Sequence, residues 1–152
     1  MSAQPQVGEA APDFSLLGTG GATFHLAEQR GNPVVLAFYP GDDTPVCTLQ
    51  LKAYNDDLAQ FTELGATLWA ISPQSVESHD GFSERQSFDF PLLADQDKAT
   101  FRAYGCLGPL GFPRRSVFVI DRDGVVRYCH RAGAGLTFKK TAELVEAVRA
   151  SL

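Results

Sequence analysis

Pro33-Val34-Val35-Leu36-Ala37-Phe38-Tyr39-Pro40-Gly41-Asp42-Asp43-Thr44-Pro45-Val46-Cys47-Thr48 is the stretch whose reading decides the fold. Residues 33–39 are an unbroken apolar run and read as a strand buried on both faces. Pro40 and Gly41 then break the strand. Thr44 is a good N-cap, and Pro45 suits the first position of a helix, so a helix starts here. Cys47 falls in its first turn, where unpaired backbone N–H groups and the helix dipole favour an anion. A cysteine in that position is set up to ionise and react.

Working outward, the helix is expected over 45–63. Cys47, Leu51, Tyr54, Leu58 and Phe61 recur at alternating steps of four and three and form one apolar stripe. Gly65 ends it. Upstream, residues 13–17 and 22–26 read as a short hairpin around Gly18-Thr19-Gly20-Gly21. Downstream come a strand at 66–72, a helix at 75–87, a short Leu92-Leu93 strand and a helix at 97–104 stopped by Gly105. Residues 116–121 and 125–130 form a hairpin about Arg122-Asp123-Gly124. The last helix spans 139–151, with Leu144, Val145, Val148 and Leu152 inward.

The order is β-β-β-α-β-α-β-α-β-β-α, with no internal repeat or linker. We expect residues 1–152 to form a single domain of the α/β class. Its fold is thioredoxin-like, with a mixed central sheet flanked by helices and an N-terminal β-hairpin.

The bulk numbers narrow the function classes. The chain has 152 residues, 44% hydrophobic and 20% charged, the composition of a soluble globular domain. A net charge of −5 argues against a nucleic-acid partner. No apolar run is long enough for a membrane helix. Met1 to Pro12 has neither a basic start nor an apolar segment, so no secretory signal is expected and the location is read as cytoplasmic. Cys47, Cys106 and Cys129 are too few for a disulfide framework, and no C-x-x-C is present. His25, His79 and His130 show no zinc-like spacing, so no metal site is expected.

Pro40-x-x-x-Thr44-x-x-Cys47 resembles the peroxiredoxin signature P-x-x-x-[T/S]-x-x-C. Its flanks are most similar to the bacterioferritin-comigratory (PrxQ) and one-cysteine AhpE subgroups. Gly8-Glu9-Ala10-Ala11-Pro12-Asp13-Phe14 resembles the family's opening segment, and Phe90-Pro91-Leu92-Leu93-Ala94-Asp95 its mid-chain strand. Arg115-Ser116-Val117-Phe118-Val119-Ile120-Asp121 resembles its R-x-[T/S]-F-x-I-D segment, shifted in detail.

The resemblance implies a thiol-dependent peroxidase acting on hydrogen peroxide or organic hydroperoxides. Cys47 would be the nucleophile. Thr44 would offer an O–H near the sulfur, and Pro40 would shape the loop and shield it from water. Helix-start N–H groups and an arginine would stabilise the leaving oxygen. Arg115 is the match for that arginine, with Arg114 beside it as the alternative. Asp42 and Asp43 oppose a nearby thiolate unless they point to solvent. Gln50, one turn after Cys47, is either a family-matched polar position or a solvated helix residue.

Oxidation leaves Cys47 as a sulfenic acid that must be reduced. The subgroup's resolving position five residues on is Lys52 here, and the region around Ser83 has no cysteine. Two routes stay open: recycling by an external thiol, or a disulfide through Cys106, whose loop is rich in glycine and proline. Cys129 lies in an expected strand with less freedom. The implied partners are a peroxide and a reductant, namely thioredoxin, glutaredoxin or a low-molecular-weight thiol. The chain would act as a monomer or homodimer, with no metal, haem or flavin. The rival readings are a peroxide sensor or redox-regulated binding protein on the same fold, and a non-redox interaction domain in which Cys47 is only a small buried hydrophobe.

Overall fold

The computed structural model describes residues 4–132 and 138–152. A short hairpin comes first, β1 (Ser15–Leu17) against β2 (Thr23–His25). A five-stranded sheet follows, from β3 (Val34–Phe38), β4 (Thr67–Ser72), β5 (Leu92–Ala94), β6 (Ser116–Ile120) and β7 (Val126–Arg131). The spatial order is β5-β4-β3-β6-β7. β3, β4 and β5 run parallel, and β6 is antiparallel to both β3 and β7. The helices are α1 (Pro45–Asp56), α2 (Leu58–Thr62), α3 (Val76–Gln86), α4 (Ala99–Ala103) and α5 (Thr141–Ser151).

β3 lies at the centre because every residue in it is apolar and both its faces are covered. Alternation along the strand divides the core in two. Val35, Ala37 and Tyr39 pack with Cys47, Leu51 and Tyr54 of α1, Phe61 of α2, Phe82 of α3 and Leu144 and Val148 of α5. Val34, Leu36 and Phe38 face the other way, toward Phe14, Trp69, Phe101, Tyr104, Cys106 and Phe118. Phe38 is held there by edge contacts to Phe101 and Phe118, with ring centroids 5.0 and 5.7 Å apart.

The expected helix over 45–63 is interrupted. Asp57 leaves helical geometry at φ −103°, ψ 14°, and α2 restarts behind it. Asn55, Asp56 and Asp57 at the break are weak helix formers, and the Asn55 side chain bonds outward, to the Ser87 carbonyl and the Asp89 N–H. The apolar stripe survives it: Cys47, Leu51, Tyr54 and Phe61 are all buried. Gly65, at φ +73°, closes α2 with Ala66 N–H donating to the Phe61 carbonyl at 3.0 Å, a Schellman-type stop. Leu152 does not point inward as expected; it is exposed at the chain end, one residue beyond α5.

Candidate active site

β3 runs into the loop 39–44, and the loop into α1. Thr44 has the extended backbone of an N-cap (φ −93°, ψ 149°), and Pro45 opens the helix. Its side chain makes no capping bond, contrary to expectation; Oγ1 instead donates to the Gly41 carbonyl at 3.1 Å and ties the loop to itself. Cys47 is the third helical residue, so its own N–H is one of the unpaired donors of the first turn. Its side chain is 1% exposed. Pro40 is half-buried before it in the same loop.

Arg115 reaches this thiol from the residue before β6. Strand parity decides which arginine does so. Val117 and Val119 face the side of the sheet that carries Cys47, whereas Phe118 and Ile120 face the other side. Arg115 shares the parity of Val117. It is 4% exposed, and its Nη2 donates to Cys47 Sγ at 3.4 Å. Arg114 turns away, with Nε donating to the Ala132 carbonyl at 3.2 Å and Nη2 to that of Arg131 at 3.3 Å.

Gln50 is not a solvated residue. It is fully buried on the face of α1 that carries Cys47. Its Oε1 accepts from Arg115 Nη1 at 2.6 Å, and its Nε2 donates to Tyr54 Oη at 3.2 Å. Tyr54 Oη in turn donates to the Lys139 carbonyl at 2.7 Å. Burial pushes the Tyr54 phenol up to about 12, so it stays a neutral donor. The guanidinium is therefore oriented by a chain running from α5's approach through α1. Spacing held the clue: Gln50 lies three residues from Cys47, a step that keeps both on one helix face.

Asp42 and Asp43 do not both point to solvent. Asp43 is exposed, at φ +60°, and pairs with Arg85 of α3. Asp42 is buried and ringed by donors. Tyr39 Oη donates to its Oδ1 at 2.6 Å; Ser78 Oγ at 2.7 Å and His79 Nδ1 at 2.8 Å reach its Oδ2. Burial works to raise its carboxyl, but the bonds from His79, Tyr39 and Ser78 outweigh it and hold the group below the usual range. Burial and then the neighbouring Asp42 push the Tyr39 phenol well above its ordinary value. The negative charge beside the loop is thus taken up within a separate network. Local sequence gives no sign of that network, because His79 lies 37 residues from Asp42.

Cys106 and Cys129 sit on the opposite side of the sheet from Cys47. Cys106 is fully buried, and burial pushes its thiol up to about 12. Cys129 lies half-buried in β7, where burial raises its thiol too; Arg131 Nη1 donates to its Sγ at 3.2 Å. All three cysteines are free thiols. Among the described residues no group of three His, Cys, Asp or Glu is disposed to hold a metal ion, and no helix is long and apolar enough to cross a membrane.

The chain is similar to known proteins in sequence and fold. The AhpC/TSA family matches residues 7–129. Chloroplastic peroxiredoxin Q of Oryza sativa subsp. japonica is 36% identical over 125 residues, covering 81% of this chain; the chain spans only 58% of that relative's length. A peroxiredoxin of Mycobacterium tuberculosis is 36% identical over 126 residues, covering 78% of this chain and 80% of the relative. Among solved structures, peroxidoxin BcpB of Mycobacterium tuberculosis superposes with a TM-score of 0.87 at 30% identity, over 97% of this chain and 98% of that one. The bacterioferritin comigratory protein of Xanthomonas campestris, solved in trapped intermediate and ligand complexes bearing on its alkyl peroxide reduction, gives a TM-score of 0.84 at 30% identity, over 95% and 98%.

Proposed function

Since the chain belongs to the AhpC/TSA family, we propose that it is a thiol-dependent peroxidase using Cys47 as its nucleophile, with residues 1–152 acting as one domain. The observation that carries this reading is the 3.4 Å contact between Arg115 Nη2 and Cys47 Sγ in the first turn of α1. A buried guanidinium and unpaired helix N–H groups put positive charge and donors where the sulfur reacts and negative charge develops on the leaving oxygen.

The Cys47 thiolate attacks one peroxide oxygen; an S–O bond forms and the O–O bond breaks. Two electrons pass from sulfur to the peroxide. The second oxygen leaves as an alkoxide or hydroxide and takes up a proton, giving an alcohol or water. Arg115 offers the developing charge a donor that needs no reorganisation, because Gln50 already fixes it. Pro40 and Thr44 shape the loop over the sulfur, and exclusion of water strengthens each of these interactions. The alkyl peroxide activity named for the Xanthomonas campestris protein supports organic hydroperoxides as substrates beside hydrogen peroxide.

Of the two recycling routes, the external thiol is the better supported. Cys106 is separated from Cys47 by the sheet itself, and a disulfide needs Cα atoms within about 7 Å. The reductant is then thioredoxin, glutaredoxin or a small thiol. A cytoplasmic setting is part of the same reading and fits three free thiols.

Intact mass after one equivalent of peroxide tests the chemistry. The expected product gains one oxygen on Cys47 and is trapped by dimedone. A loss of two hydrogens with a Cys47–Cys106 peptide would replace the external-thiol route. Steady-state peroxide consumption with a thioredoxin system separates a peroxidase from a sensor, which would stop after one oxidation.

A further inference from the structure

We propose that Tyr54 is a positioning residue for the peroxidase reaction: its hydroxyl fixes the direction of a one-way hydrogen-bond chain that holds Arg115 against Cys47. The inference deepens the peroxidase reading above and rests on it. A guanidinium can only donate, and a backbone carbonyl can only accept. Arg115 stands at one end of the chain and the Lys139 carbonyl at the other. Gln50 and Tyr54 lie between them, and an amide or a hydroxyl taken alone can face either way. With both ends fixed, neither can. Gln50 must turn Oε1 to Arg115 Nη1, which leaves Nε2 to donate to Tyr54 Oη. The Tyr54 proton must then go to Lys139. The three links measure 2.6, 3.2 and 2.7 Å.

The hydroxyl is the step that keeps the chain from reversing. Burial keeps it protonated, pushing the phenol up to about 12. Its ring sits in the half of the core that carries Cys47, edge-on to Phe138 with centroids 6.2 Å apart. Lys139 comes just before the N-cap of α5, and that helix packs Leu144 and Val148 into the same half. The chain therefore ties the guanidinium to α5 as well as to α1 and β6. Gln50 and Tyr54 are fully buried, so solvent cannot supply a substitute partner. Without the hydroxyl, Gln50 Nε2 loses its acceptor inside the core. A turned amide would set its N–H groups against a guanidinium that also only donates. Either way Arg115 loses its fixed plane.

A mutant cycle tests the relay. Tyr54→Phe removes only the hydroxyl and keeps the ring in the core, so the fold is retained. Oxidation of the reduced protein by hydrogen peroxide, followed by stopped flow, should slow about tenfold, as expected for a small misplacement at the reacting centre. In Gln50→Glu both side-chain oxygens accept, so Arg115 is served whichever way the carboxylate turns. In that background Tyr54→Phe should change the rate by less than about twofold, because no direction is left for the hydroxyl to set. In Arg115→Ala, which has no guanidinium to position, it should change nothing. Either background suffices if the other does not fold. A hydroxyl that only supports packing would lower the rate by the same factor in every background. Equal factors, or no loss in the protein that keeps Gln50 and Arg115, overturn the relay while a wild type oxidised at Cys47 upholds the peroxidase reading. A wild type that peroxide never oxidises at Cys47 overturns that reading and the relay with it.

Discussion

Arg115 and Cys47 are 68 residues apart in the chain, yet the guanidinium Nη2 donates to the thiol sulfur at 3.4 Å with both side chains buried. A charge so far from water is tolerated where its donors are taken up and a counter-charge can form in front of it. Gln50 takes one edge of the guanidinium and Cys47 the other. The pair is held by two rigid elements, the start of α1 and the start of β6, and not by loops alone.

Removing the guanidinium should therefore act on chemistry. Arg115→Ala is expected to lower kcat/KM for peroxide by about 10²–10³, the loss typical of one preorganised donor to a developing oxyanion. Arg115→Lys should recover only part of it, since a single ammonium cannot span Gln50 and Cys47 as the planar fork does. Stopped-flow oxidation of the reduced enzyme at several peroxide concentrations reads this directly. An unchanged second-order rate in Arg115→Ala would remove Arg115 from the site.

Gln50 gives a second, separable expectation. Gln50→Ala removes the acceptor of Arg115 Nη1 and the donor to Tyr54 Oη, at a cost of about 1–3 kcal/mol in stability. It should also slow peroxide reduction, because the guanidinium is no longer held in plane. Gln50→Glu keeps an acceptor for Arg115 but adds a negative charge beside the thiolate, so stability should be better preserved than rate. Urea denaturation alongside single-turnover kinetics distinguishes the two; a wild-type rate in Gln50→Glu would mean that orientation alone matters.

Sequence reading reached the frame of this site because its signals are local. The apolar run 33–39, the Thr44-Pro45 helix start and the Cys47 stripe each follow from short-range preferences. The resemblance of residues 40–47 and 115–121 to peroxiredoxin segments then gave the site its chemistry. Three features needed the fold. Gln50 looked ambiguous because a polar residue on a helix is usually solvated, and only packing against Arg115 buries it. Asp42 looked like an electrostatic liability because two of its hydrogen-bond donors, Ser78 and His79, come from α3. Cys106 looked mobile because its loop is rich in glycine and proline, whereas its side chain is fixed among Phe101, Tyr104 and Phe118.

The Asp42 network makes stability depend on acid. The folded-state carboxyl lies below the ordinary Asp value of about 3.9. The unfolded chain therefore binds the proton first as pH falls, and stability rises with pH through that window. The contribution is complete above about pH 4 and disappears as the pH drops through the lower, folded-state value. Asp42→Asn should be less stable than the wild type at neutral pH, and the gap should shrink on acidification. Thermal melts of both proteins from pH 6 to pH 3 check the sign; a gap that widens in acid would contradict it.

Cys106 imposes the opposite dependence at the alkaline end. Burial raises its thiol to about 12 in the folded protein, against about 8.5 for a free thiol. Between those values the folded state keeps a proton that the unfolded state has released. The stabilisation is full below the unfolded value and is lost as pH rises through the folded one. Cys106→Ala should start less stable at pH 7, because it removes a buried sulfur from a packed core, but its stability should fall less steeply than that of the wild type above pH 9. Tyr39 and Tyr104 are raised chiefly by burial, which both proteins share; the smaller part of the Tyr104 shift that comes from Cys106 disappears with the thiol and acts in the same direction. Urea midpoints measured from pH 7 to pH 10 give the two slopes. The same variant, if Cys106 takes no part in recycling, should turn over peroxide with an external thiol at the wild-type rate; parallel stability slopes would mean that the buried thiol ionises as freely folded as unfolded.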